Sequence, residues 1–325
     1  MSFYYKIYGL TIKSSRKINI LPEIDISSAD LDIIWAASVN YEGLSELPWI
    51  PIVTNELKIR KQISFFKADT QQGTFFKVFF NSEYGGFYFV IDPQKEKLWI
   101  LYNQNEPEND LDSYFTGTLM GCVLRLKGIM CLHSSAVNIN GEAVLLVGQK
   151  RSGKSTTAAA FAKLGYKVLC DDIAAISVKN NILYVESGYS KVRLRPASAQ
   201  ALHSENLDVM PEVFSVRKSR YANVTETFQR EALPLGAIYF LGGEPGYNAP
   251  PVIEPVANDV LYLLHANTFA NYVITPDMRK DELKMLAIIA SQASIKHLKY
   301  GHDVKIVNLQ CEAVINDRAL KLINS

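Results

Sequence analysis

Cysteine is scarce in this chain, and where it occurs it is scattered. The four residues, Cys122, Cys131, Cys170 and Cys311, form no Cys-x-x-Cys pair and have no matching histidine spacing, which excludes a disulfide framework and a zinc site written in sequence. They read as small core residues in a reducing compartment. No apolar run approaches the roughly 20 residues a membrane helix needs. The start, Met1-Ser2-Phe3-Tyr4-Tyr5-Lys6, lacks the basic-then-apolar layout of a secretion signal, so a cytoplasmic protein without a membrane partner is expected. A surplus of one charge is also missing: 34 Lys and Arg stand against 33 Asp and Glu, a net of +1. No overall field therefore recruits nucleic acid. Internal repeats and low-complexity tracts are absent. With 48% apolar and 21% charged residues over 325 positions, the chain is an ordinary globular protein long enough for two domains.

What is present first is aromatic and alternating. Residues 1–105 are rich in Tyr and Phe, and 75–80, 87–91 and 97–102 read as an antiparallel meander. This defines a β-rich N-terminal module, 1–105, followed by a second domain, 106–325. Few Lys or Arg interleave with the aromatics, so packing explains them better than base stacking. Residues 103–112 are polar, contain Pro107 and read as a linker. A helix is expected over 114–126, capped by Asp112 or Ser113 and stopped by Gly128. Asn140-Gly141 between 131–139 and 142–147 is a strong hairpin signal.

The second domain is organised around Gly148-Gln149-Lys150-Arg151-Ser152-Gly153-Lys154-Ser155, a glycine, four free positions, then Gly-Lys-Ser, with a strand before and a helix after. It reads as a phosphate-binding loop (P-loop). Backbone N–H groups at a helix N-terminus attract a phosphate, and Gly148 and Gly153 allow the close approach. Lys154 can reach the terminal phosphates and the Ser155 hydroxyl the magnesium of a nucleoside triphosphate. Gly148, Arg151, Ser152, Gly153, Lys154, Ser155 and Thr156 are thus the candidate nucleotide-binding residues, for ATP or another NTP with Mg2+.

Strands are expected over 166–170 and 173–178, with Asp171 and Asp172 at the end of the first, the edge where open α/β sheets bind ligands. Adjacent carboxylates point to opposite sides of a strand. One can then face a metal while the other takes a proton from an attacking hydroxyl. Two plainer readings stay open: a solvated strand-end acid, or two metal ligands. Further strands are expected over 182–186, 192–194 and 236–241, and helices over 196–203, 257–264, 277–293 and 312–323. The basic cluster Arg217, Lys218 and Arg220 could pair with phosphate or a peptide carboxylate, or be a solvated loop. Glu186 could be a metal ligand or a surface acid.

His133, the loop Gly148 to Ser155 and Tyr166-Lys167-Val168-Leu169-Cys170-Asp171-Asp172 resemble the core of the bacterial HPr serine kinase/phosphorylase family, which is similar in fold to phosphoenolpyruvate carboxykinase. That resemblance implies an α/β fold with a mixed-sheet P-loop core beside the β-rich module. It also implies Asp171 as the catalytic acid/base with His133 as its neighbour, and Asp172 with Ser155 on the magnesium side. For His133 alone, a satisfied core histidine is the competing reading. Where the family carries a Glu-x-x-Gly-x-Gly signature tied to phosphorolysis, this chain reads Glu186-Ser187-Gly188-Tyr189-Ser190-Lys191, a departure that leaves phosphorolysis, and HPr as the substrate, open. Tyr5-Lys6-Ile7-Tyr8-Gly9-Leu10, Leu235-Gly236-Ala237-Ile238-Tyr239-Phe240-Leu241 and His297-Leu298-Lys299-Tyr300 also resemble the HPr-kinase-like enzymes encoded with lasso-peptide precursors, which phosphorylate the precursor's C-terminal serine. The expected partner is a peptide or small protein bearing a serine, with a homo-oligomer left open. Two alternatives remain, a nucleotide-gated switch that phosphorylates no hydroxyl and a small-molecule kinase on the same core.

Overall fold

The structure, a computed structural model, describes residues 1–37, 43–52, 63–82, 85–213, 218–244, 249–256, 258–301, 303 and 306–323. The chain folds as two units: Met1–Gly128 with Ala270–Ile274, and Ile129–Phe269 with Thr275–Ser325. Among the described residues no helix is long and apolar enough to cross a membrane.

The first unit is built on one eight-stranded sheet. Its strands are β1 (Phe3–Ile7), β2 (Leu10–Ser14), β3 (Leu31–Ala36), β4 (Ile50–Ile52), β5 (Ile63–Thr70), β6 (Gly73–Phe80), β7 (Phe87–Ile91) and β8 (Lys97–Tyr102), in spatial order 1-2-3-8-7-6-5-4. The aromatic meander expected over 75–102 is β6 to β8, with Phe80 opposite Phe87 and Phe89 opposite Ile100. Its rings pack on one another, Phe80 stacking on Phe87 at 5.2 Å.

Helix α1 (Glu108–Tyr114) runs through a π-helical turn (Phe115–Leu119) into α2 (Met120–Leu126). The helix thus starts earlier than 114, inside the run read as a linker. Pro107 is its N-cap, and Glu108 and Asp110 lie in its first turn, where acids offset the helix dipole. Asp112 therefore caps nothing. It is fully buried and ion-paired with Arg16, and the Tyr8 hydroxyl donates to the Thr116 carbonyl at 3.1 Å. These bonds tie the helices to the first sheet, so that unit continues past residue 105 to Gly128.

The second unit is mixed α/β. Its elements are β9 (Met130–Leu132), β10 (Ser134–Ile139), β11 (Glu142–Val147), α3 (Lys154–Lys163), β12 (Val168–Cys170), β13 (Ala174–Lys179), β14 (Ile182–Val185), β15 (Lys191–Leu194), α4 (Pro196–His203), β16 (Glu212–Val213), β17 (Ser219–Asn223), β18 (Leu233–Glu244), β19 (Val252–Pro255), α5 (Val260–Ala266), α6 (Pro276–Gln292), β20 (Ser294–Gly301) and α7 (Val307–Ile323). The main sheet runs 12-10-11-18-14-13-9, with β20 beside β18 and β19 beside β20. β18 lies parallel to both β11 and β20, while β10 is antiparallel to β11. Asn140 (φ 55°) and Gly141 (φ 80°) turn that hairpin, both in the left-handed region a tight two-residue turn needs.

β11 is apolar and buried because it pairs on both edges inside the sheet. The alanines of α3 and the inner face of α7 close the core, in which Val144, Leu146, Ala158, Phe161, Tyr239, Leu298, Cys311 and Val314 share one cluster. All four cysteines are buried, as expected, and none is in a disulfide. A separate three-stranded sheet, β15-β17-β16, stands apart from the main one.

Candidate functional site

The site lies in the second unit, where β11 ends and α3 begins. Between them the chain makes a compact turn in which Gly148 (φ 155°), Arg151 (φ 77°) and Gly153 (φ 88°) have positive φ. A side chain on Gly148 would bring its Cβ within 2.7 Å of Ser152 Oγ and 3.0 Å of the Leu241 carbonyl, so the close passage of β18 dictates glycine there. The buried Tyr300 hydroxyl, at the end of β20, donates to the Ser152 carbonyl and props the turn from beneath. Arg151 is exposed and Ser155 half-buried. The Thr156 hydroxyl bonds that of Ser198 on α4 at 2.8 Å.

Lys154 is 6% exposed, and its Nζ donates to the carbonyls of Gly148 (2.7 Å) and Gln149 (3.1 Å). Among the described residues no carboxylate pairs with it. Burial lowers its pKa, opposed first by the charge of Asp172 and then of Asp171. Nearby, Ser152 Oγ is buried without a hydrogen-bond partner among the described residues. A buried ammonium, an orphaned hydroxyl and a glycine-lined turn at a helix start form a donor set suited to an anion.

The acid doublet follows β12. Asp171 is 2% exposed, and both oxygens are engaged: Oδ1 accepts from Ser135 Oγ at 2.6 Å, Oδ2 from the Arg193 main-chain N–H at 3.0 Å. Burial, then the charge of Asp172, raises its pKa to about 6. Asp172 turns the other way. Its carboxylate pairs with the Arg193 guanidinium. Burial works against its charge, but Arg193, His133 and Lys154 outweigh it and hold it below the usual carboxylate range. Asp171 is thus the more deeply buried of the pair, and the charges of both acids act on Lys154, that of Asp172 first.

His133 sits between β9 and β10. Its main-chain N–H donates to the Asn267 carbonyl at 2.8 Å, and its ring lies 5.9 Å from that of Phe269. Nδ1 is 3.0 Å from the Asp172 carbonyl, an atom that only accepts, so Nδ1 carries the proton. Burial, then the charge of Lys154, lowers its pKa. His133 therefore adjoins the second acid of the doublet.

Of the basic cluster, Lys218 and Arg220 are described. Arg217 falls outside the described residues. Arg220 stands opposite Leu194 in the β15–β17 pair, one register step from Arg193, so it occupies the other face of that sheet. There it donates to the Met210 carbonyl and, with Lys218, Gln200 and Leu207, lines a surface cavity of about 360 Å³. Glu186 is buried and accepts from Ser177 (2.6 Å) and Lys179 (2.9 Å), so it is not the exposed strand-end acid of the plainer reading. Among the described residues no cluster of three His, Cys, Asp or Glu could hold a metal. Magnesium asks for less: it binds through one or two protein oxygens, water and phosphate, and the Ser155 hydroxyl opening α3 is such an oxygen. Ser135 and Arg193 lie at the doublet without any motif assigning them there, and Tyr300, part of the His297 to Tyr300 motif, supports the loop without that role being announced. Only the alternation of 191–195 could have hinted that Arg193 shares a face opposite Val192 and Leu194.

No protein-family model matches the chain. An HPr kinase/phosphorylase of Clostridium tetani is 24% identical over 268 residues, 74% of this chain and 82% of that protein. An HPr kinase/phosphorylase of Clostridium kluyveri is 29% identical over 111 residues, 32% of this chain and 34% of that protein. Among solved structures, the HPr(Ser) kinase/phosphatase from Coxiella burnetii matches 60% of this chain and 93% of its own, with TM-score 0.35 and 12% identity. The chain is thus similar in sequence to HPr kinase/phosphorylases, a likeness that supports an HPr-kinase-like family of kinase-type enzymes.

Proposed function

We propose that this protein is a serine kinase that uses ATP, or another nucleoside triphosphate, with magnesium to phosphorylate a peptide or small protein. The substrate we favour is the C-terminal serine of a lasso-peptide precursor, on the resemblance described above. One observation supports the phosphate site above all: the buried Lys154 ammonium, held by two loop carbonyls and lacking a carboxylate partner. In this reading Lys154, the backbone of 148–153 and Ser152 hold the phosphates, and Ser155 reaches the magnesium. Bound ATP–magnesium supplies the transferable phosphoryl group and neutralises charge as it leaves.

The Asp171 carboxylate accepts from Ser135 and from the Arg193 main chain, while that of Asp172 meets only the Arg193 side chain among the hydrogen bonds described. We give the base role to Asp172. Its lowered pKa makes it a weak base, which suits phosphoryl transfer, where orienting the hydroxyl counts for more than early proton removal. His133 fixes the main chain of that acid. Asp171 anchors the doublet.

Intact-mass analysis of serine peptides incubated with protein, ATP and magnesium tests the reading. The expected result is a gain of one phosphate on a serine peptide, lost with Asp172→Asn. Nucleotide hydrolysis with no peptide modified would favour the switch instead.

A further inference from the structure

The turn joining β12 to β13 is strained. Asp172 has φ 68°, and the Ile173 N–H bonds back to the Asp171 carbonyl at 2.9 Å. That makes a γ-turn whose central residue sits in left-handed space, the rarer and costlier hand for a side-chain-bearing residue. Such strain persists only where the surroundings over-determine it. Four bonds do so here. Ser135 Oγ and the Arg193 N–H hold the Asp171 carboxylate, His133 Nδ1–H holds the Asp172 carbonyl, and the Arg193 guanidinium holds the Asp172 carboxylate. Arg193 alone supplies two of the four, one from its main chain and one from its side chain. β15 makes this double grip possible: Val192 and Leu194 are buried on its other face and fix the strand.

We propose that Arg193 is a positioning residue that clamps this turn and fixes the direction of the Asp172 carboxylate. The proposal rests on the kinase reading in one respect, that Asp172 is the acid at the reacting end; the clamp itself does not. Arginine suits the task because its planar fork stays charged when partly buried and binds a carboxylate with direction. An ammonium keeps the charge and loses the fork.

The test compares wild type, Arg193→Lys and Arg193→Gln in the full chain. Three quantities are measured: hydrogen exchange of the amides at 171–173, affinity for a fluorescent ATP analogue with magnesium, and nucleotide turnover. Arg193→Gln is expected to speed exchange at 171–173 at least tenfold, with β11 and β18 unchanged. It should also lower kcat about a hundredfold while nucleotide affinity stays within threefold, and Arg193→Lys should recover about tenfold of the lost kcat. Unchanged exchange at 171–173 would overturn the clamp. Equal losses in kcat, affinity and melting temperature, with Arg193→Lys no better than Arg193→Gln, would reduce Arg193 to a structural residue. If Arg193→Gln does not fold, Arg193→Lys decides alone: a tenfold loss of kcat at unchanged affinity is expected, and wild-type kcat overturns the proposal. A wild type that turns over no nucleotide sinks the kinase reading, and the exchange rates still judge the clamp.

Discussion

The residues of the doublet differ in environment more than in chemistry. Asp171 keeps its proton to about pH 6 in the folded chain because of burial, then Asp172's charge, whereas an unfolded Asp releases it near 4. Between those values the native state binds more protons than the unfolded one, so stability from this group is full at the acid end and is lost as pH rises. Urea unfolding of wild type and Asp171→Asn from pH 4 to 7 checks this. The stability advantage of wild type should shrink by about 2–3 kcal/mol across the window; a constant difference would contradict the assignment. Lys154 makes a second prediction at this scale. Lys154→Ala removes the buried cation of the loop, and titration calorimetry should show ATP–magnesium affinity falling at least tenfold, about 1.4 kcal/mol or more. Unchanged affinity would detach the loop from the nucleotide.

At the scale of elements, the loop depends on what packs beneath it. Gly148→Ala would push a methyl group against Ser152 and the Leu241 carbonyl, an overpacking expected to cost about 1–3 kcal/mol. Chemical denaturation should register that loss together with weakened nucleotide binding, and a variant as stable as wild type would show that the passage is looser than described. The loop, the β10–β11 hairpin and the doublet at a strand end were legible in sequence, since each rests on short-range signals: Gly-Lys-Ser spacing, Asn140-Gly141, and Asp after an apolar run. The early start of α1 was hidden because its polar first turn looks like a linker until Asp112 finds Arg16, far away in sequence. Which acid is the more deeply buried was hidden for the same reason, because Ser135 and Arg193 are brought to Asp171 by β10 and β15 and by no local pattern. Strands β16 and β17 were missed in a polar stretch, where β17 pairs with β15 and β16 with β17.

At the scale of the molecule, every residue given a role lies in the second unit, and the net charge of +1 supplies no general attraction for anions. In the kinase reading, nucleotide affinity therefore has to come from the loop itself. A ligand that binds only the folded state raises stability by about 2.7 kcal/mol at a hundredfold excess over its Kd. Scanning calorimetry with ATP–magnesium should show the melting of the second unit moving up for wild type and standing still for Lys154→Ala.

The central claim is that a triphosphate held by the loop meets Asp172, and the measurement closest to it is the rate of γ-phosphoryl loss by wild type and Asp172→Asn at equal nucleotide occupancy. A fall of at least a hundredfold in Asp172→Asn, with nucleotide affinity within threefold of wild type, is the predicted result. Near-normal rates in Asp172→Asn, or no nucleotide binding by wild type, would contradict it.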